Sequence, residues 1–386
     1  MKQRDKRGNG TMVKRGNGYR LRYVVNGERF SVTFAGSAAD ARKELRRLTH
    51  AGDVGEHVAP NKMRVGEFVA ARITQWETAG DITGRTAQRY RELLKGQIEP
   101  HLGNKELQKL TSLDVEAWHN ELRTNGRADG KGGLAPRTIG HAHRVLSKAL
   151  SNAVKHQVIL KNVIAGDAAP GPDEDEEQMS IITDIPAFLQ KLRRHPKLFV
   201  PAIIALLSGM RLGEILALRW GRVDLNRKVI SVVEALEETS AGIRFKAPKS
   251  KAGTRKISLP DLLVDALKEF RREQQAIRLQ LGAGKLPDEA LLFSNIDGEP
   301  LSQKYCSKAW SDFADQIGHG DVTFHALRHS HASWLINTKV DIVMISKRLG
   351  HADPAITLKV YAHMFQKDDS AAAVALNAAL GHKATT

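Results

Sequence analysis

Residues 325 to 334 read HALRHSHASW and place three histidines and an arginine within seven positions. His325 and His329 have the four-residue spacing by which two imidazoles share one helix face in zinc hydrolases. Those sites have a glutamate directly after the first histidine, and this chain has an alanine there. Arg328 would also put a fixed positive charge beside the metal. We therefore expect no metal here, and we interpret His329 and His331 as core histidines.

An arginine and a histidine three residues apart are better suited to a phosphate. Guanidinium offers a bidentate, always-charged fork for two phosphate oxygens, and a neutral imidazole can accept a proton from a nucleophile. Phosphoryl transfer without metal needs further cationic donors. The segment LLSGMRLGEILALRW supplies Arg211 at the start of an apolar helix, where free backbone N–H groups also favour an anion. Glu214, three residues later, could orient a guanidinium or imidazole.

A candidate nucleophile follows in the segment LGHADPAITLKVYAHM. It contains His351 directly after a glycine and Tyr361 ten residues later. The chain has only five tyrosines, so each can be weighed. The other four lie either in a predicted hairpin or away from any His-Arg pair in the sequence: Tyr19, Tyr23, Tyr90 and Tyr305.

The order and spacing of these segments resemble the two conserved boxes of the tyrosine recombinases, the phage-integrase family. The segments are SGMRLGEILALRW, HALRHSHASWL and LGHADPAITLKVYAHM, and the similarity covers about residues 202–361. The upstream organisation is similar to the arm-binding and core-binding domains of phage-type integrases. The resemblance implies that Arg211 and Arg328 clamp the non-bridging oxygens of a scissile DNA phosphate, and that His351 donates a further hydrogen bond to it.

The resemblance also implies the remaining roles in the reaction. Tyr361 would attack to give a 3′-phosphotyrosyl link, and His325 would accept or relay its proton. The family protonates the leaving 5′-oxygen with a lysine in a β-hairpin turn. In PKSKAGTRKISLP we choose Lys251, with Lys249 as the alternative. Glu214 occupies the position that supports the box-one arginine, and no metal, cofactor or ATP is implied.

The composition independently favours a nucleic-acid partner. The chain has 59 Lys+Arg against 43 Asp+Glu, a formal net charge of +16, and a chain this basic is expected to meet a polyanion. Its one cysteine, Cys306, excludes an intramolecular disulfide and a multi-thiolate zinc site. No stretch approaches 18 apolar residues, and the N-terminus lacks an apolar signal region. We expect a bacterial, cytoplasmic, nucleoid-associated protein without a membrane span.

The length of 386 residues allows two or three domains. The sequence predicts an α+β, mainly α fold with a small N-terminal β-sheet plus helix module, a helical core-binding bundle and a mixed α/β catalytic domain, forming a clamp around DNA. The expected boundaries are an arm-type DNA-binding sheet domain over 1–60, a helical core-type domain over 61–165, an acidic linker over 166–178, and a catalytic domain with a C-terminal tail helix over 179–386.

The N-terminal segment YRLRYVVNGERFSVTF alternates in polarity and pivots on Asn26-Gly27, a dipeptide suited to a type I′ hairpin turn. The alternation puts Arg20 and Arg22 on the face opposite the apolar residues. Because a sheet can enter the major groove, these two arginines are candidate DNA contacts, with a plain solvated face as the alternative. The other face is covered by a helix predicted over residues 38–49, with inward positions at Ala41, Leu45 and Leu48.

Between residues 65 and 161, several segments begin with Ser/Thr or Pro and have apolar residues three and four apart. This pattern predicts a small helical bundle. The basic residues on its polar faces would suit phosphates or could be ordinary solvated helix faces. The DNA-binding candidates among them are Arg85, Arg89, Arg137, Arg144 and Lys148.

The sequence therefore predicts a site-specific recombinase, an integrase that integrates and excises a mobile element through a Holliday junction. A DNA-binding regulator of the same fold and a type IB topoisomerase-like relaxation of DNA stay open as alternatives. The resemblance implies double-stranded attachment sites, a homo-tetramer on DNA, an excision factor and a DNA-bending host protein as partners, and no membrane. A helix predicted over Asp368–Leu380 would dock either on a neighbouring subunit or on its own domain.

Overall fold

The chain divides into two compact units, Met1–Glu177 and Gln178–Thr386. Both are mainly helical with small antiparallel sheets, which confirms the predicted α+β, mainly α class. The division of the first unit near residue 60 stays a prediction. The computed structural model describes residues 10–25, 27–53, 57–171, 180–248 and 250–364, together with 373, 376, 377, 379 and 380.

The first unit begins with an antiparallel sheet in the order β1 (Gly10–Arg15), β2 (Gly18–Val25) and β3 (Glu28–Ala35). Val25 pairs with Glu28, so the connection has two residues, as the sequence predicts. Gly27 has φ +83°, which glycine adopts without a Cβ penalty. Asn26 lies outside the described residues.

Helix α1 (Ala38–Asp53) covers one face of this sheet. Leu21 and Tyr23 are buried under it, together with Ala41 of the helix, while Leu45 and Leu48 are half-buried. The other face carries Arg20 and Arg22 and stays open to water, with Arg22 exposed and Arg20 half-buried. The period-2 alternation of β2 thus sets which face packs, as predicted.

The described residues from Val65 to Lys155 in the first unit form helices joined by loops. The helices are α2 (Val65–Thr78), α3 (Gly84–Leu93), α4 (Glu99–Leu102), α5 (Ser112–Asn125) and α6 (Pro136–Lys155), with a π-helical turn over Leu94–Ile98 between α3 and α4. The start signal predicted at Thr111 acts as a cap, because Thr111 forms a capping box with Asp114. Helix α3 is capped by Thr83, three residues before the start of the predicted segment, and the Thr83 side chain accepts from the backbone N–H of Thr86. The apolar faces meet in one core around Trp118, Ile139 and Leu146.

The second unit alternates helices with short strands. The bounds are α7 (Ile185–Leu192), α8 (Pro196–Ser208), α9 (Leu212–Leu216), β4 (Val223–Asp224), β5 (Val229–Val232), β6 (Ala235–Thr239), β7 (Gly242–Lys246), β8 (Arg255–Ser258), α10 (Asp261–Gln280), α11 (Gln303–Gln316), α12 (Phe324–Asn337), α13 (Ile342–Leu349) and α14 (Pro354–Tyr361). Helix α12 packs on the apolar helix α8 at the centre of this unit. The packing of α12 on α8 fixes the segment HALRHSHASW beside the residues that follow α8.

The strands between the two boxes differ from the expected hairpin. Strand β8 pairs with β5, while β7 pairs with β6, so the sheets have the orders β4-β5-β8 and β6-β7. The segment with Lys251 therefore links two sheets, and Lys251 begins a short 3-10 turn, Lys251–Gly253. The prediction of a hairpin turn at Lys251 is wrong because the hydrogen bonds of β8 are made with β5. The alternative, Lys249, lies outside the described residues.

Two further predictions fall mainly outside the described part of the chain. Of the acidic linker, only residues 166–171 are described. Of the segment Asp368–Leu380, helical backbone is described at Ala373, Leu376, Asn377 and Ala379. Within the described residues, the structure has no helix of the length and apolarity needed to cross a membrane.

Candidate active site

Arg211 lies where α8 ends and α9 begins. Gly209 closes α8 in the left-handed region at φ +70°, and Arg211 is the N-cap of the five-residue helix α9, in agreement with its predicted place at the start of an apolar helix. The backbone N–H of Arg211 donates to Glu214 Oε2 at 3.0 Å, and its Nη1 donates to Glu214 Oε1 at 2.9 Å. The Arg211 side chain stays 42% exposed, so its guanidinium can still meet a ligand.

Arg328, on α12, is buried and held by its neighbours' backbone. Its Nη1 donates to the carbonyl of Gly209 at 2.5 Å, and its Nη2 donates to the carbonyl of Leu349 at 2.7 Å. Nη2 also lies 3.0 Å from His351 Nε2. Burial, and next the charge of Arg211, lowers the pKa of Arg328 to about 9, so the guanidinium remains cationic at neutral pH.

His351 follows the C-terminal end of α13. Gly350 makes the turn at φ +71°, and a Cβ there would lie 2.8 Å from Nη1 of Arg255. His351 Nε2 accepts from Arg328, so its proton is on Nδ1, which lies 2.7 Å from Thr357 Oγ1. Burial first, then Arg328, lowers the pKa of His351 to about 4, so the ring is neutral at neutral pH.

Tyr361 is the last residue of α14 and is buried, with 2% of its surface exposed. Its Oη lies 2.7 Å from Nδ1 of His329. Burial raises the pKa of Tyr361 to about 12, and the charge of Arg328 offsets part of this effect. The nucleophile predicted from the sequence is therefore a protonated phenol whose hydrogen-bond partner is an imidazole.

The three histidines of HALRHSHASW have separate environments. His331 is buried, with Nδ1 on the carbonyl of Leu206 and Nε2 accepting from Arg348, which confirms its interpretation as a core histidine. The sequence also predicts a core histidine at His329, but its Nδ1 contacts the hydroxyl of Tyr361. His325 meets the ring of His329 edge-on at 4.8 Å between centroids. The pKa of His325 is lowered by burial first and then by its cationic neighbours.

The structure places His329 rather than His325 against the tyrosine hydroxyl. His329 and Tyr361 are 32 positions apart in the chain, and no sequence spacing signals their contact.

In the described part of the chain, no group of three His, Cys, Asp or Glu side chains is arranged to hold a metal ion.

Arg255 is a second residue that the sequence reasoning missed. It forms a salt bridge with Glu214, Nη2 to Oε2 at 2.9 Å, and both side chains are almost fully buried. Its Nε donates to the carbonyl of Arg348 at 2.7 Å, and its Nη1 donates to the carbonyl of Gly253 at 3.1 Å. The guanidinium of Arg255 therefore connects Glu214, the turn that begins at Lys251 and the segment that precedes His351.

Glu214 is the charge that keeps these cations together. Burial by itself raises its pKa, but the hydrogen bonds and charge of Arg255, followed by the contacts of Arg211, outweigh burial and hold the pKa below its ordinary value. Glu214 is therefore a buried carboxylate between two arginines. Lys251 itself is exposed at the surface of this unit.

In the first unit, helices α3 and α6 both carry exposed basic side chains. Arg144, Arg89 and Arg137 each lower the pKa of His141, after the larger effect of burial, so the three charges lie near one ring. Lys148 Nζ lies 4.3 Å from the centroid of Trp76. The DNA-binding candidates on these helices are all exposed: Arg85, Arg89, Arg137, Arg144 and Lys148.

Comparisons with known proteins found two matching protein families and a similar curated protein. The description "Phage integrase family" matches residues 175–368, and "Phage integrase, N-terminal SAM-like domain" matches residues 74–123. A protein named "Tyrosine recombinase XerC-like", from Caldanaerobacter subterraneus subsp. tengcongensis, is 25% identical over 73% of this chain and 76% of its own length.

Two solved structures share the fold. The Tn1549 transposon integrase in complex with a circular intermediate DNA has a TM-score of 0.68, with 21% identity over 82% of this chain and 99% of that chain. A lambda integrase tetramer bound to a Holliday junction has a TM-score of 0.51, with 19% identity over 91% of this chain and 97% of that chain.

The matches and the fold define the class as the tyrosine recombinases, enzymes that break and rejoin DNA. The chain belongs to the phage integrase family, whose description matches half of its length. It is an integrase of the kind that mobile elements use for DNA recombination.

Proposed function

We propose that this chain is a site-specific recombinase that integrates and excises its element through a 3′-phosphotyrosyl intermediate and a Holliday junction, without metal or ATP. The observation that carries the proposal is the position of Arg328. Its guanidinium contacts His351 at 3.0 Å and interacts electrostatically with both Arg211 and Tyr361. Two arginines, a histidine and a tyrosine from three segments of the chain therefore meet where one phosphate could bind.

The two arginines neutralise the scissile phosphate. Arg211 and Arg328 bind its non-bridging oxygens and take the place of a metal in stabilising the charge that develops there. His351 donates a further hydrogen bond. Nε2 of His351 accepts from Arg328 in the structure, so donation to a phosphate requires that Arg328 turns to the phosphate and that Nε2 carries a proton.

Tyr361 attacks phosphorus, and the bond from phosphorus to the 5′-oxygen breaks. The products are a 3′-phosphotyrosyl link and a 5′-hydroxyl. Lys251 gives a proton to the leaving 5′-oxygen, and His325 accepts or relays the phenolic proton. Glu214 supports Arg211, which is consistent with their two hydrogen bonds of 3.0 and 2.9 Å. The covalent link conserves the energy of the phosphodiester, so attack by another 5′-hydroxyl rejoins DNA.

Strand exchange between two duplexes uses four subunits, which cut one strand of each duplex at a time. The similarity in fold to a lambda integrase tetramer bound to a Holliday junction supports this assembly. The chain's C-terminal tail helix docks in the assembly either on its own domain or on a neighbour. An excision factor and a DNA-bending host protein act with the tetramer at the attachment sites, on chromosomal DNA in the bacterial cytoplasm.

The upstream parts bind DNA outside the cut. The arm-type domain, 1–60, uses the open face of its sheet with Arg20 and Arg22. The core-type domain, 61–165, uses the basic faces of α3 and α6, and the acidic linker, 166–178, lets it clamp DNA with the catalytic domain, 179–386. The exposure of Arg22 and of the basic residues on α3 and α6, together with the grouping of three arginines around His141, supports the assignment. The contacts are Arg20, Arg22, Arg85, Arg89, Arg137, Arg144 and Lys148.

The test is to detect the covalent protein–DNA intermediate in the presence of EDTA, which removes free metal ions. Wild type and Tyr361→Phe are incubated with labelled duplex that carries the element's end and a nick placed so that the cut fragment diffuses away. Denaturing gels then separate free from protein-linked DNA. The matched control is Tyr305→Phe, which removes a hydroxyl from an exposed tyrosine on α11.

Wild type and Tyr305→Phe are expected to form the adduct, and Tyr361→Phe is expected to form none. An adduct that survives Tyr361→Phe would contradict the assigned nucleophile. Binding without any adduct would favour the DNA-binding regulator. Relaxation of a supercoiled plasmid that lacks the element's ends, with no recombinant products from plasmids that contain them, would favour the topoisomerase activity.

A further inference from the structure

The hydroxyl of Tyr361 has a hydrogen-bond partner, His329, to which the proposed cleavage mechanism gives no role. His329 Nδ1 lies 2.7 Å from Tyr361 Oη, within the range over which a general base takes a proton directly. The tyrosine is 2% exposed, so bulk water has little access to it. His325, one helical turn earlier on α12, touches the ring of His329 rather than the phenol.

The charges around His329 favour its neutral form. It faces Tyr361 from α14 and has Arg328 and His325 on its own helix, while His351 lies close enough to interact electrostatically with it. Burial first, and then Arg328, lowers the pKa of His329. A neutral ring that keeps its proton on Nε2 presents an unprotonated Nδ1 to the phenol. The tyrosine needs such a base because its own pKa is raised to about 12.

We propose that His329 is a catalytic residue that takes the phenolic proton of Tyr361 directly, with His325 passing the proton on to solvent. This inference rests on the proposed function, because it assigns a step of the same cleavage. The Oη–H bond breaks and its proton goes to His329 Nδ1, while Oη forms a bond to phosphorus. The bond to the 5′-oxygen breaks, and that oxygen takes its proton from Lys251. When the 5′-hydroxyl attacks in the reverse step, both protons return.

Asparagine separates proton transfer from positioning at residue 329. In His329→Asn the amide oxygen can still accept a hydrogen bond near the former Nδ1, but it cannot take a proton at neutral pH. Loss of a general base slows a reaction by about 10²–10⁴-fold. We therefore expect single-turnover cleavage by His329→Asn to be at least ~100-fold slower at pH 7. The rate should rise about tenfold per pH unit toward alkaline pH, as hydroxide replaces the base.

A substrate with sulfur at the 5′-bridging position distinguishes the two proton transfers. A thiolate leaves without an acid, so this substrate should restore cleavage by Lys251→Ala but not by His329→Asn. The matched control for altered packing is His331→Asn, a buried histidine on the same helix that contacts Leu206 and Arg348 instead of the tyrosine. It should not acquire the steep alkaline pH dependence.

A second variant covers the case in which His329→Asn is poorly folded. His329→Ala leaves space for free imidazole, and added imidazole should restore cleavage in proportion to its unprotonated concentration. The inference would be overturned if His329→Asn cleaved DNA at the wild-type rate, or if its rate did not depend on pH. The proposed function would remain intact in either case. Absence of an adduct with wild type would overturn both.

Discussion

The salt bridge between Arg255 and Glu214 offers a direct test of how the site is held together. Arg255→Met keeps much of the length of the side chain but removes its charge and all of its hydrogen bonds. The carboxylate would remain buried with Arg211 as its charged partner. The variant would also disconnect the carbonyls of Gly253 and Arg348 from a common donor.

The expected cost follows from burial. The side chains of Arg255 and Glu214 are 6% and 5% exposed, so removing Arg255 leaves a buried carboxylate whose remaining counterion, Arg211, is 42% exposed. Breaking such a pair costs about 3–5 kcal/mol. A unit of about 200 residues loses about 2–4 °C in Tm per kcal/mol. Arg255→Met should therefore lower the Tm of the second unit by roughly 6–20 °C.

Calorimetry of the full chain is the appropriate assay, because the two units can unfold in separate transitions. The matched control is Arg272→Met, which breaks a pair with Glu269 whose side chains are 75% and 62% exposed. An exposed pair contributes at most about 1 kcal/mol. The control should therefore lie within about 2–4 °C of wild type.

A double-mutant cycle with Glu214→Gln isolates the interaction. Because Glu214→Gln already removes the buried charge, the double variant should lose less stability than the sum of the two single variants. Additive losses, or an equal Tm change in Arg255→Met and Arg272→Met, would refute the reasoning that burial makes this pair strong.

Three further predictions follow from particular contacts. Gly350→Ala should lower stability by about 1–3 kcal/mol in urea unfolding, because φ +71° strains alanine and its Cβ would crowd Arg255. The pKa of Glu214 lies below its ordinary value of 4.5, so its stabilising effect is complete above about pH 4.5 and is lost as pH falls through the folded pKa. In acid titrations, the difference in unfolding free energy between wild type and Glu214→Gln should therefore become smaller in this pH range. A difference that stays constant would contradict the shift. Arg22→Ala should reduce the slope of log K against log [salt] by about 1 in DNA-binding titrations if Arg22 contacts a phosphate, whereas an unchanged slope would assign it to a solvated face.

Much of this protein could be predicted from the sequence because the signals are local. The two-residue hairpin turn before Glu28, the capping box of α5 and the proline at the start of α6 depend on residues within a few positions of each other. The segments around Arg211, His325 and Tyr361 have fixed order and spacing, which is why the family could be recognised from short motifs. Net charge, which needs no structure, indicated the polyanionic partner.

Contacts between distant segments were decided only by the tertiary structure. The packing of α14 near α12 brings His329 to Tyr361, and the pairing of β8 with β5 takes Lys251 out of the expected hairpin and brings Arg255 to Glu214. Such contacts depend on which helix and strand faces meet when the core closes, and that is a property of the whole unit. The sequence therefore indicated the kinds of residue that could do the chemistry, and the fold decided which imidazole meets the phenol.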